Sequence, residues 1–161
     1  MDAKEIKKDR LRFTKNTASS GLVYLSILLD VFFFVSIYKS DVGNYYYTWL
    51  TGVSIIFNLV FMLVMFLSSE GVKNYHFGYS IVLIVVGIVQ FARILIIPRM
   101  AHSTVITLNG VETTVMSDAQ FMRVMIYLLA SGALAIIAGI IGVTKSTTLT
   151  AYNKELEARA N

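Results

Sequence analysis

A few side chains able to do chemistry fall inside stretches otherwise suited to hydrocarbon. Asp30 sits near the middle of the first such stretch and Asn58 near the middle of the second. Gln90 and Arg93 lie in the outer third of the third, and Arg123 near the outer start of the fourth. Each costs free energy in a bilayer, so each is a candidate for function. Asp30 has three chemical options: ionised and paired, held neutral by a proton, or lining a wet cavity that carries a cation or a proton. Arg93 is the in-span cation. Counting 1.5 Å per residue puts it roughly 10 Å outward of Asp30 along the bilayer normal, so a direct pair is permitted and not required. Gln90 is one turn from Arg93 and is expected to share its hydrogen bonds. Glue between helices is the commoner role for a carboxyl with an amide nearby; an ion or proton site is the sharper one.

Arg93, Arg99 and Arg123 form a second constellation, a basic outer rim with Asp41, Glu112 and Asp118 as counter-charges. An anionic ligand or lipid headgroup suits such a rim. Snorkelling to the interface with surface pairing is the plainer expectation.

Enzyme chemistry finds little support. There is no glycine-rich phosphate loop, no GxSxG and no HExxH. The chain has two histidines and no cysteine. His76 and His102 fall on opposite sides of the membrane in the topology below, so they cannot share a metal. Ser26 lies one turn before Asp30 without a nearby base and reads as a helix hydrogen-bonder. No cofactor, metal or catalytic residue is expected. A lipid-modifying enzyme that binds a headgroup at Asp30 or the arginine rim is the weakest reading kept.

The elements that must position these residues follow from composition. Of 161 residues, 56% are apolar and 15% charged, against about 25% charged in soluble domains. A small chain in water needs more charge than that, so a membrane protein is expected. Four runs are long enough for a core about 30 Å thick: residues 20–38, 46–68, 77–97 and 121–143. The first is too long for a signal-peptide core and lacks a cleavage site. Lys4, Lys7, Lys8, Arg10, Arg12 and Lys15 precede it, Lys73 follows the second run, and Lys145, Lys154 and Arg159 follow the fourth. That bias puts both termini in the cytoplasm of a cell membrane, plasma or inner. Tyr45, Tyr46, Tyr47 and Trp49 form one aromatic border, Tyr75, Phe77 and Tyr79 another, and Pro98 is expected to end the third run. The net charge of +4 is too small to argue for nucleic acid.

The fold class expected is an all-α antiparallel bundle of four transmembrane helices with a small extracytoplasmic β-hairpin. The chain divides into a basic tail (1–19), the membrane domain (20–144) and a helical C-terminal tail (145–161). Residues 39–44 and 68–74 are short turns. Residues 104–115 carry Asn109-Gly110 between β-branched runs, the strongest short hairpin signal. Leu108 then faces Val111, Ile106 faces Thr113 and Thr104 faces Val115. Ile106, Leu108, Val111 and Val115 supply an apolar face that must rest on its own helices, a second copy or a partner. Ser131, Gly132, Ala135, Gly139 and Gly142 give the fourth span a small-residue packing face, within this chain or against another. Leu149, Tyr152 and Leu156 form a stripe on the C-terminal tail that suits a cytoplasmic partner or residues 1–19. The basic first tail suits solvent or the leaflet surface.

The reading favoured is a non-catalytic subunit or accessory of a larger membrane assembly, a homo- or hetero-oligomer acting through these contacts. The alternative is a homo-oligomeric ion channel or small transporter with Asp30 and Asn58 lining its pathway. No internal repeat supports a transporter built within one chain.

Overall fold

The computed structural model describes residues 3–38, 48–108 and 110–160. The helices are α1 (Ala3–Phe13), α2 (Thr17–Tyr38), α3 (Thr48–Lys73), α4 (Phe77–Arg93), α5 (Ile97–Ser103) and α6 (Asp118–Ala160), with strands β1 (Val105–Leu108) and β2 (Val111–Thr114) before α6. Four helical stretches are long and apolar enough to cross a membrane, from α2, α3, α4 with α5, and α6. The expected turn at 39–44, the aromatic border at 45–47 and the counter-charge Asp41 lie outside the described residues, as does Asn109.

α6 packs along both α2 and α4, α3 packs on α2 and α4, and α3 barely touches α6. The four helices therefore run round the bundle in the order α2, α3, α4, α6. The small-residue face of α6 meets α4 and α2 of its own chain. A Cβ added at Gly87 would lie 2.7 Å from the Gly132 carbonyl, and one at Gly139 2.8 Å from that of Ser80. Backbones too close to admit a Cβ bring dispersion contacts where hydrophobicity cannot drive association.

Two apolar clusters fill the interior. One, towards the terminal tails, includes Val23, Met65, Leu83 and Ala135; the other, towards the hairpin, includes Phe33, Val124, Leu128 and Met116. A polar layer separates them.

Pro98 does not mark the end of the third run. α4 ends five residues earlier at Arg93, and Pro98 stands in the first turn of α5. Proline has no N–H for the carbonyl four residues back and its ring crowds that carbonyl. Here that carbonyl, Ile94, accepts from Arg99 N at 3.1 Å instead.

The hairpin pairs Leu108 with Val111 and Ile106 with Thr113, in the expected register. Val115 N donates to Thr104 O at 3.0 Å, closing its base, and Gly110 takes φ +81° in the turn. Its apolar face docks in part. Val115 is buried and Ile106 packs against the hairpin-side cluster, while Val111 is 62% exposed. The reason is length: a four-residue strand reaches the bundle only at its base.

At the other end α6 continues unbroken past the expected border near residue 143. Its 43 residues span roughly 64 Å, about twice the hydrocarbon thickness. α1 lies along this extension, joined by Lys8–Glu155 at 3.8 Å and Arg159–Glu5 at 3.3 Å. Tyr152 of the apolar stripe is buried, so the stripe is occupied at least in part by this chain.

Candidate functional site: a buried polar layer

Every helix of the bundle contributes to the polar layer. Asp30 comes from α2, Asn58 from α3, Gln90 and Arg93 from α4, and Ser131 from α6. Asp30, Gln90 and Ser131 have no exposure, Asn58 has 2% and Arg93 6%.

Arg93 is its centre. Its Nη1 donates to Asp30 Oδ1 at 2.8 Å and to Gln90 Oε1 at 2.6 Å, and its Nη2 donates to Asn58 Oδ1. The depth gap expected from residue counting is closed by the reach of the long arginine side chain, directed inward. In a helix the Cα–Cβ bond tilts towards the N-terminus. α4 starts at the terminal-tail end, so Arg93 points back into the bundle. It is therefore not a member of the outer basic rim. The guanidinium also lies over three rings, 4.7 Å from the Phe33 centroid, 4.9 Å from Phe61 and 5.7 Å from Phe57. Such cation–π contacts strengthen when desolvated.

Gln90 extends the network. Its Nε2 donates to Asp30 Oδ1 at 3.2 Å and to Ser131 Oγ at 2.9 Å. Ser131 Oγ donates to Ser26 O at 3.0 Å, and Ser26 Oγ lies 2.8 Å from Ser131 O. Ser26 thus bonds across to α6 instead of within its own helix. Asn58 Nδ2 donates to Ser54 O at 2.7 Å, and Tyr38 OH donates to Ser54 Oγ. One atom is left over: Asp30 Oδ2 is buried with no hydrogen-bond partner among the described residues. The arrangement can hold four helices in one register around a neutralised ion pair.

An open-sided cavity of about 320 Å³ adjoins the layer on the hairpin side. Arg93, Asn58 and Ser54 line it together with Phe33, Phe57, Val53 and residues 96–98 and 100.

The remaining rim residues are dispersed. Arg99 and Arg123 are exposed, and neither forms an ion pair with another described residue. Asp118 lies 2.8 Å from His102 Nε2, and the His102 ring stacks on Phe121 at 4.4 Å between centroids. Glu112 is exposed on β2. Among the described residues no group of three or more His, Asp or Glu could hold a metal ion.

A second polar knot lies at the terminal-tail end, where the first two spans meet the tails. Asn16 is fully buried: its N–H donates to Lys73 O at 2.9 Å, and its Oδ1 accepts from Lys145 Nζ at 2.9 Å and from Ser19 N at 3.4 Å. Ser20 and Ser69 hydroxyls meet at 2.8 Å, and Ser146 Oγ donates to Tyr75 O at 2.6 Å. Tyr75 carries φ 60°, in the left-handed region that reverses the chain after α3. The doubled serines at 19–20 and 68–69 were the available clue.

Searches with this chain match no family model, no curated protein and no solved structure.

Proposed function

We propose that the chain is a non-catalytic subunit or accessory of a larger assembly in the cell membrane, with both termini cytoplasmic. It acts through helix–helix and hairpin contacts, in a homo- or hetero-oligomer. One observation carries this reading: the Arg93 charge is matched inside the bundle by Asp30, 2.8 Å away. The in-span polar residues thus serve the fold, and what the chain offers outward is surface. β2 is exposed along its whole length, and Val105 and Val111 are 59% and 62% exposed. The orientation rests on the lysine and arginine bias of the tails.

The test is purification of the tagged chain from native membranes after cross-linking, alongside Val111→Asp. A membrane partner, or a second copy, should copurify with the parent and be lost from the variant. A chain that stays monomeric without a partner, in detergent and in native membranes, refutes the proposal.

The second reading is a homo-oligomeric channel or small transporter with Asp30 and Asn58 on its pathway. The unpartnered Asp30 Oδ2 favours it. Asp30→Asn in a liposome flux assay decides: unchanged flux, or none in the parent, removes it.

A further inference from the structure

The cavity beside the polar layer is walled almost entirely by hydrocarbon, with Arg93, Asn58 and Ser54 meeting it at one end. A guanidinium carries five N–H groups. Three of those on Arg93 are engaged, with Asp30, Gln90 and Asn58, which leaves two without a partner among the described residues. Asn58 uses one amide N–H on Ser54 O and keeps the other. The Ser54 hydroxyl accepts from Tyr38. These three residues line the cavity, and around them stand Phe33, Val53, Phe57, Ile97 and Met100. An occupant must therefore be apolar with an acceptor at one end.

Charge narrows the class. Asp30 already balances Arg93. A carboxylate in the cavity would leave one unmatched negative charge in a low-dielectric site, and an ammonium one unmatched positive charge. A neutral carbonyl accepts the spare N–H groups at no cost in charge. The volume, about 320 Å³, lies at the small end of ligand pockets and suits one chain or one ring, not a two-chain lipid. We infer that this cavity binds a neutral, single-chain or single-ring lipophile through a carbonyl oxygen held by Arg93 and Asn58. Two sources share that chemistry, an acyl ester and a quinone.

The test uses the full chain in nanodiscs and isotope-edited infrared spectroscopy of a carbon-13 carbonyl. The probes are methyl dodecanoate and an alkyl benzoquinone, with unlabelled dodecanoate and dodecyltrimethylammonium as competitors. A saturable population with a red-shifted carbonyl stretch, one per chain, supports the inference, and whichever probe shows it names the source. Val53→Trp fills the cavity from its exposed side without touching the polar layer, and should weaken binding at least tenfold. No saturable population for either probe overturns the inference. So does equal binding by Val53→Trp, or displacement by either charged competitor at equal concentration.

Discussion

Removing Arg93 should do more harm than removing Arg93 and Asp30 together. In Arg93→Met, Asp30 keeps its place at zero exposure but loses its ion pair, and Gln90 Oε1 and Asn58 Oδ1 lose their donor. Breaking one half of a buried pair costs about 3–5 kcal/mol. Asp30→Leu strands the guanidinium in the same way and should cost a similar amount. The double variant removes both charges and leaves two amide acceptors and one Gln90 N–H short, at about 1–3 kcal/mol in total if the amides re-pair with one another. The singles would sum to about 6–10 kcal/mol, so the coupling should reach at least about 3 kcal/mol. Residues that do not interact add to within about 0.5 kcal/mol. Steric trapping of the purified chain in bicelles measures unfolding free energies of this size. If the two losses simply add, Arg93 and Asp30 are not a pair in the membrane and the polar layer described above is wrong.

Three further outcomes follow from particular contacts. Gly87→Val and Gly139→Val should each destabilise by at least about 1–3 kcal/mol through overpacking, whereas Gly21→Ala, with nothing within 4 Å of its added methyl, should cost nothing in the same unfolding assay. Asn16→Ala should lower stability by about 1–2 kcal/mol, because it removes the cap of α2 and the acceptor for Lys145. Swapping the charges in Lys8→Glu with Glu155→Lys should change stability by less than about 1 kcal/mol, since both side chains are well exposed, and salt titration should erase what effect there is.

The four apolar runs and the hairpin register could be read from hydropathy and from one Asn-Gly pair, because both depend on local patterns. The membership of the polar layer was also legible, since Asp30, Asn58, Gln90 and Arg93 stand out against hydrocarbon. What could not be counted along the chain was where each side chain goes. Arg93 looked like a rim residue by position and is an interior one by direction. Pro98 looked like a terminus, yet its effect is felt five residues upstream at Arg93. Asn16 lies in a polar tail, where nothing local distinguishes a buried cap from a solvated amide. The partner of the α6 glycines depended on the order of helices round the bundle, which hydropathy does not encode.

α6 runs from the hairpin base to the tail without a break. The single proline of the chain lies elsewhere, in α5. Mechanically this makes α6 a stiff rod held at several points, from Gly132 against Gly87 to Ser146 on Tyr75. Arg159 stands about 20 Å beyond the last of these. Tilting the rod by about 5° there would carry Arg159 and the helix strapped to it sideways by roughly 1.7 Å. A push on one surface of the protein is thus felt on the opposite surface with no hinge to absorb it.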